Sequence, residues 1–129
     1  MKIKNLKYIV LLLLCSFAQQ VDTIQDFEKA LGNQDHSMIS SLCDAYVEVE
    51  TVKVDKVTSK SQVSHVLREF FSSHPIKEFE YMHIGTSPGG AKYAIGTYTT
   101  TNGTRFRTVI KLKNVNGQLL LESIKFSKE

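Results

Sequence analysis

The chain has 129 residues, of which 42% are hydrophobic and 22% charged, and its formal net charge is +3. Three of the 16 basic residues and none of the 13 acidic residues lie within the first 20 positions, so 13 of each remain beyond them. A remainder without net charge argues against nucleic acid or an anionic membrane as a partner. Its length suits one domain with one hydrophobic core.

The first 20 residues have the pattern of a secretory signal peptide. Lysines precede an apolar run over residues 8–15, and Ser16 and Ala18 provide the small side chains of a cleavage site. The run is shorter than the ~20 apolar residues that a membrane-spanning helix needs. We therefore expect cleavage near Ala18 to Gln20, export to the periplasm or the medium, and a mature domain at residues 21–129 without a transmembrane segment.

The two cysteines fall in different parts of the chain. Cys15 lies in the expected signal peptide, and the bulky Leu14 before it argues against a lipid anchor there. Cys43 is then the lone cysteine of the mature domain, which excludes an intramolecular disulfide. Its neighbours Ile39 and Leu42 are apolar, so a buried thiol is expected.

Helices are predicted in the first half of the mature chain. Ile24, Phe27 and Leu31 share one face of a helix over residues 22–31. Asp35 is placed to cap a second, short helix that ends near Leu42, with Met38 and Ile39 directed inward. These two helices precede a half-buried strand over residues 46–52, and residues 53–57 can pair back on it.

The strongest helix begins at Ser59, where Gln62 completes a capping box. The residue before Pro75 is forced out of the helical region, which ends the helix. Its apolar stripe contains Val63, Val66, Leu67, Phe70 and Phe71.

Four consecutive antiparallel strands are predicted in the C-terminal half. Asn102-Gly103 and Asn116-Gly117 serve as two-residue hairpin turns, since Asn-Gly tolerates positive φ at both positions. The predicted strands cover residues 78–86, 92–101, 104–113 and 118–126.

The first of these hairpins has a defined expected register, in which Thr101 opposes Thr104. This register makes the outer face basic through Arg107 and Lys111, next to Tyr98. The expected core face contains Tyr93, Ile95, Thr97, Thr99, Phe106, Thr108, Ile110 and Leu112.

The second hairpin allows two registers. A two-residue turn directs Leu119, Leu121 and Ser123 toward the core. A one-residue bulge instead directs Leu120, Glu122, Ile124 and Phe126 inward.

Residues 85–89, Gly-Thr-Ser-Pro-Gly, match the G-x-S-x-G pattern of hydrolase active sites. A hydrolase nucleophile elbow needs the backbone N–H of the residue after its serine. Here that residue is Pro88, which has no N–H. The stretch is therefore predicted to be a loop between two strands.

The remaining candidates for chemistry are polar residues in the sheet. The four histidines lack a recognised ligand spacing, so no metal and no cofactor is expected. His83 shares strand parity with Tyr81, and the pair could move a proton if it lay in a pocket. Glu122 is the only carboxylate within the four strands after residue 80 that could assist. The simpler interpretation is a histidine with its hydrogen bonds satisfied in a sheet.

The order of elements resembles the nuclear transport factor 2-like fold, also called cystatin-like. Within that superfamily the chain is similar to an uncharacterised family of exported bacterial proteins, over roughly residues 22–127. The stretches that carry the resemblance are residues 27–32, 66–71, 83–85, 93–96 and 102–107.

The resemblance implies an α+β cone of order α-α-β-(β)-α-β-β-β-β, in which a curved antiparallel sheet wraps around the helices and leaves a pocket. Tyr81, His83, Tyr93 and Phe106 are the expected pocket residues. The superfamily also implies a possible homodimer, here through the outer face around Tyr98 and Arg107.

Three functions are compatible with this pattern. The first is a non-catalytic module that binds a small apolar ligand or a protein partner. The second is a small acid–base enzyme of the isomerase or dehydratase type that uses His83 and Tyr81. The third is a structural accessory protein of the cell envelope.

Overall fold

A computed structural model describes residues 23–129, so the expected signal peptide lies outside the described part. The helices are α1 (Thr23–Gly32), α2 (His36–Ser41) and α3 (Lys60–Ser73). The strands are β1 (Cys43–Glu50), β2 (Asp55–Ser59), β3 (Ile76–Thr86), β4 (Lys92–Thr100), β5 (Arg105–Val115) and β6 (Gln118–Lys128).

The strands form one curved, six-stranded sheet of order β2-β1-β6-β5-β4-β3, and the α+β class is confirmed. β1 and β6 are parallel, and all other neighbours are antiparallel. No helix within residues 23–129 has the length and apolar character needed to cross a membrane.

The helices cover one face of the sheet with the apolar residues that the sequence predicts. The whole predicted stripe of α3 is buried, and Ile24, Phe27 and Leu31 of α1 are buried with it. Asp35 caps α2 by accepting a hydrogen bond from the Met38 N–H, as predicted. Two details differ. Met38 is 46% exposed, and the Ser59 side chain makes no capping bond.

The predicted register of the β4–β5 hairpin is wrong by one residue. Tyr98 opposes Phe106, because the turn is a three-residue loop in which Thr100 N–H donates to Thr104 O at 2.8 Å. Gly103 supplies the positive φ, 88°, that such a loop needs after its first turn residues. β5 keeps its predicted core face, while β4 is reversed.

The reversal moves the core face of β4 to Ala94, Gly96, Tyr98 and Thr100. Tyr93 and Ile95, which were expected inside, lie half-buried on the outer face. Tyr98 was expected outside and is fully buried instead.

The β5–β6 hairpin combines both registers considered for it. Asn116 and Gly117 have φ values of 53° and 84°, so the two-residue turn is confirmed. Leu112 then opposes Leu121, and beyond an extra residue, Glu122, Ile110 opposes Ile124. The bulge exposes Glu122 to solvent and buries the leucine and isoleucine on either side of it.

Aromatic rings cover glycines on both faces of the β3–β4 pair. On the inner face Phe79 lies against Gly96, and on the outer face Tyr93 lies against Gly85. β3 also carries extra residues at Lys77 and Met82, where its pairing with β4 shifts. Bulges and glycines are the devices that bend a sheet, and they concentrate here on one strand pair.

Candidate binding groove

A groove of about 340 Å³ opens between α3 and the loop that joins β1 to β2. One wall is residues 51–54, and the other is the second half of α3 together with His74, which follows it. The helix forms this wall because Val66 and Phe70 lie one turn apart on its buried face. Cavities that hold small molecules range from about 300 to 1,000 Å³, so the groove is at the small end.

The base of the groove is aromatic. The Phe70 ring is stacked on Phe126, with ring centres 4.2 Å apart, and meets Phe106 edge-on at 5.3 Å. The His74 imidazole packs against Phe70 at 4.8 Å and against Phe106 at 4.9 Å. Aromatic contacts at these separations are favourable, so His74 is held by packing on two rings.

A part-buried hydrogen-bond chain fixes the backbone of His74. The Tyr98 hydroxyl donates to the His74 carbonyl at 2.5 Å, and Gln34 Nε2 donates to the Tyr98 oxygen at 2.9 Å. Gln34 also donates to the Phe71 carbonyl at 3.2 Å. These two carbonyls belong to the end of α3, where backbone acceptors lack helical partners. We call Gln34, Tyr98 and the His74 carbonyl the inner cluster.

The hydrogen bonds of the inner cluster hold the fold together rather than transfer a proton. Burial raises the pKa of Tyr98 to about 12, and the hydrogen bond from Gln34 opposes this only in part. The phenol is therefore neutral at physiological pH. It keeps its proton as a donor to His74, and this bond closes the end of α3 onto β4.

The charges at the groove mouth are mostly positive. Lys53 and Arg68 line the groove together with one acid, Glu69, which pairs with His65 at 3.6 Å. Burial lowers the pKa of His74 below its usual value, and the positive charges of Lys53 and Lys128 lower it further. The imidazole is thus neutral at pH 7, with two cations near it.

The structure does not bring the predicted pocket residues into one pocket. Tyr81 lies under α1, where its hydroxyl donates to the Ile24 carbonyl at 2.7 Å. His83 is exposed on the outer face, with Nε2 3.2 Å from the Tyr93 hydroxyl oxygen. Phe106 is buried in the core. Only His83 and Tyr93 meet, and Phe106 reaches the groove only through its contacts with other rings.

The acid–base pair of Tyr81 and His83 is separated for a physical reason. The extra residue at Met82 shifts the strand parity between them, so that their side chains lie on opposite faces. Burial and the nearby charge of Glu28 raise the pKa of Tyr81 well above its usual value. Glu122 is exposed at the bulge of β6 and does not join either residue.

The predicted dimer residues are also separated. Arg107 is exposed on the outer face as expected, whereas Tyr98 belongs to the inner cluster and cannot contribute to a surface. Cys43 is 2% exposed, and burial raises the pKa of its thiol to about 12, which confirms the predicted buried cysteine. Within residues 23–129, no group of three or more His, Cys, Asp or Glu side chains is placed to hold a metal ion.

Sequence patterns did not predict the groove, although Val66 and Phe70 were expected to be buried. His74 was expected only as the residue that ends a helix before Pro75, and Lys53 only in a stretch, residues 53–57, that can pair back on the preceding strand. Gln34 adopts a positive φ of 53°, uncommon for glutamine, in the short link between α1 and α2. Its partner Tyr98 is 64 positions away, and no local pattern predicts such a pair.

The sequence pattern of a family described as "Domain of unknown function (DUF4783)" matches residues 24–127. The chain belongs to this family. A DUF4783 structure from Bacteroides ovatus is 25% identical, with a TM-score of 0.74, and the match covers 81% of this chain and 93% of that one. A DUF4783 structure from Bacteroides uniformis is 17% identical, with a TM-score of 0.76, and covers 83% and 97%.

The DUF4783 fold extends to the nuclear transport factor 2-like class, as the sequence resemblance implies. A nuclear transport factor 2-like protein of unknown function from Shewanella baltica is 16% identical, with a TM-score of 0.59, and the match covers 90% of this chain and 95% of that one. A comparison with curated protein sequences finds no match. The family and the fold are confirmed, and the function has to be argued from the groove.

Proposed function

We propose that this DUF4783 protein is an exported, non-catalytic module that binds a small apolar ligand in the groove. The observation that carries the proposal is the cavity of about 340 Å³ with an aromatic base at Phe70. Apolar pockets with a few polar groups are the usual form of small-ligand sites. The neutral His74 and the exposed Val52, which is 53% accessible, complete such a lining.

Fluorescence titration with the neutral apolar probe N-phenyl-1-naphthylamine tests this proposal. Saturable binding to the purified protein is expected, and Ser73→Trp should abolish it by filling the groove from an exposed position. Gln62→Trp is the matched control, because it adds the same ring to the exposed face of α3 outside the groove. Binding that Ser73→Trp leaves intact, or no binding at all, would contradict the proposal.

A complementary experiment addresses what the groove holds in the cell. Native mass spectrometry of protein purified from its own cell envelope should show a retained small molecule, which Ser73→Trp protein lacks. Detection of the apoprotein alone from both variants would favour the structural accessory role. Cell fractionation with an intact-mass measurement tests export, since a mature chain should begin between residues 19 and 21.

We also propose self-association through the outer face around Arg107. Ile95 and Val109 form a half-buried apolar centre there, and they are directly opposed on β4 and β5. Sedimentation should show a dimer that Ile95→Glu dissociates by placing a charge at this centre. Ser61→Glu, on the exposed start of α3, is the control and should remain dimeric. A wild-type monomer at high concentration would end this proposal.

A further inference from the structure

A second groove, of about 320 Å³, lies on the outer face of the sheet and crosses β3, β4 and β5. It shares no lining residue with the groove beneath α3. Its volume is again at the small end of the range for small-molecule sites. The lining consists of Glu78, Glu80 and Met82 of β3, Thr97 and Thr99 of β4, and Arg105 of β5.

The pairing of the strands arranges the charges of this lining on two opposite walls. Glu78 is directly opposed to Thr99, which is directly opposed to Arg105. Neighbouring strands are about 4.8 Å apart, so the acidic wall and the basic wall start from backbones roughly 10 Å apart. Within residues 23–129 neither glutamate of the groove forms a salt bridge, and Arg105 pairs with Glu129 at 3.5 Å in an exposed contact. Exposed ion pairs contribute little energy, so a ligand can compete for the guanidinium.

The floor between the two walls has hydroxyl groups without a protein partner. Thr97 is only 9% exposed and Thr99 is half-buried, and neither hydroxyl makes a hydrogen bond in the described part of the chain. The hydroxyls of Thr100 and Thr108, on the inner face, are both hydrogen-bonded. Because buried polar groups normally have partners, a nine-tenths buried threonine that lines a cavity indicates a position for a polar ligand.

We propose that this groove binds a zwitterion of dipeptide size. Its ammonium group binds Glu78 and Glu80, its amide contacts the two threonines, and its carboxylate binds Arg105. An extended residue spans at most about 3.6 Å, so the ends of a dipeptide are about 7 Å apart and can reach the side chains of both walls. Both ends then form charge-assisted hydrogen bonds, which are stronger than neutral ones. Met82, which is 67% exposed, adds an apolar contact for a side chain of the peptide.

Isothermal titration calorimetry with matched peptides tests this inference. Alanyl-alanine has both charges, N-acetyl-alanyl-alanine lacks the ammonium group, and alanyl-alaninamide lacks the carboxylate. The zwitterion should bind about tenfold more tightly than either singly charged peptide, as expected for one charge-assisted contact. Free alanine has both charges on one carbon and should bind more weakly than the dipeptide. No binding of alanyl-alanine, or equal affinity for all four compounds, would overturn the inference.

The acidic wall is tested by the double variant E78Q/E80Q. It should bind alanyl-alanine no more tightly than the acetylated peptide, because the partner of the ammonium group is lost. E48Q/E122Q removes the same charge from exposed positions outside the groove and should retain the preference. A preference that survives in E78Q/E80Q, or that both double variants lose equally, would overturn the inference.

The basic wall and the floor are tested by single variants. Arg105→Gln should cancel the preference for alanyl-alanine over its amide, and Lys56→Gln on the exposed part of β2 is the control of equal charge. Thr97→Val preserves the side-chain shape and removes a hydroxyl that no described residue binds. It should weaken binding of alanyl-alanine severalfold without lowering the stability of the protein. Lost stability with unchanged affinity would contradict the role of this threonine.

The dipeptide site and the proposed function fail independently. Ser73→Trp fills the groove beneath α3 and should leave binding of alanyl-alanine unchanged, so a loss in this variant would overturn the inference. A second copy of the chain could instead cover the outer groove. In that case the wild type would not bind alanyl-alanine and E78Q/E80Q would dissociate the dimer in sedimentation, which would overturn the inference and leave the proposed function standing.

Discussion

The two faces of the β3–β4 pair carry the same kinds of side chain. These side chains are enclosed on the inner face and partly exposed to solvent on the outer face. On the inner face, Tyr98 is fully buried and bonded at its hydroxyl to His74 and Gln34. On the outer face, Tyr93 is half-buried and its hydroxyl meets only the exposed His83. Each face therefore has one tyrosine next to one histidine.

Two glycines, one on each face, differ in enclosure in the same way. Gly96 is covered by Phe79 and by backbone on the inner face, while the nearest atoms over Gly85 on the outer face belong to the Tyr93 ring. The inner residues are fixed by several elements at once, whereas the contacts described for Tyr93 on the outer face are to Gly85 and His83 of the neighbouring strand. Residue type therefore does not decide which side chains are available for chemistry. Enclosed side chains here hold the fold, and the exposed pair lacks an enclosing pocket.

The largest expected effect on the free energy of unfolding distinguishes Gly96 from Gly85. A Cβ at position 96 would lie 2.6 Å from Phe79 Cζ and 2.7 Å from the Glu80 backbone oxygen. Because backbone cannot move aside, Gly96→Ala should lower the free energy of unfolding by about 3 kcal/mol. A Cβ at position 85 first meets the far end of the Tyr93 ring, which can rotate toward solvent, so Gly85→Ala is expected to cost about 1 kcal/mol or less. Denaturant titration measures both.

Equal losses from the two alanines would mean that the inner and outer faces constrain β3 to the same degree. The contrast would also fail if Gly96→Ala proved neutral, since the strand pair would then have room to shift. Tyr93→Ala in the Gly85→Ala background provides a further control, because it removes the clashing ring.

The next effect compares the two tyrosines. Tyr98→Phe removes the hydroxyl that donates to the His74 carbonyl and accepts from Gln34, both part-buried bonds, and leaves that carbonyl only the longer contact with Gln34 Nε2 at 3.5 Å, which should cost about 2 kcal/mol. Tyr93→Phe removes a hydroxyl that solvent can replace, so a change within about 0.5 kcal/mol is expected. Thermal and denaturant unfolding of both variants provide the measurement. A stable Tyr98→Phe protein would show that water satisfies the inner cluster.

The sequence predicted element types and order well, because these follow from local periodicity. The stripe of α3 and the cap at Asp35 are both present in the structure. The two Asn-Gly pairs show where local information ends. Asn116-Gly117 forms the two-residue turn that was predicted, while Asn102-Gly103 lies in a longer loop in which the Thr100 hydroxyl accepts a bond from the Thr104 N–H at 3.0 Å.

One extra loop residue reverses the face of a whole strand. With the longer loop, Tyr98 lies on the inner face and Tyr93 on the outer face. The predicted pocket therefore loses Tyr93, and the predicted dimer face loses Tyr98. The extra residue at Met82 has the same consequence for Tyr81 and His83. Turn length and bulges decide which residues share a site. Neither is specified by residue alternation alone, and the groove depends on contacts between distant elements.

The smallest expected effect compares the two histidines through pH. Burial and the charges of Lys53 and Lys128 lower the pKa of His74 below its unfolded value of about 6.5. The unfolded chain therefore binds more protons near that pH, so stability is complete above about 6.5 and falls as pH decreases through it. His74→Phe removes this titration and keeps the ring contacts. Its stability should decline less than that of the wild type between pH 7.5 and 5.5.

His83→Phe tests whether this pH dependence belongs to the inner face. It makes the same substitution on the solvent side, next to Tyr93, and should retain the wild-type slope of unfolding free energy against pH. A slope that flattens in both variants would assign the dependence to the histidines in general rather than to the enclosure of His74. A slope that flattens in neither would mean that the two lysines and burial do not act on His74 in solution.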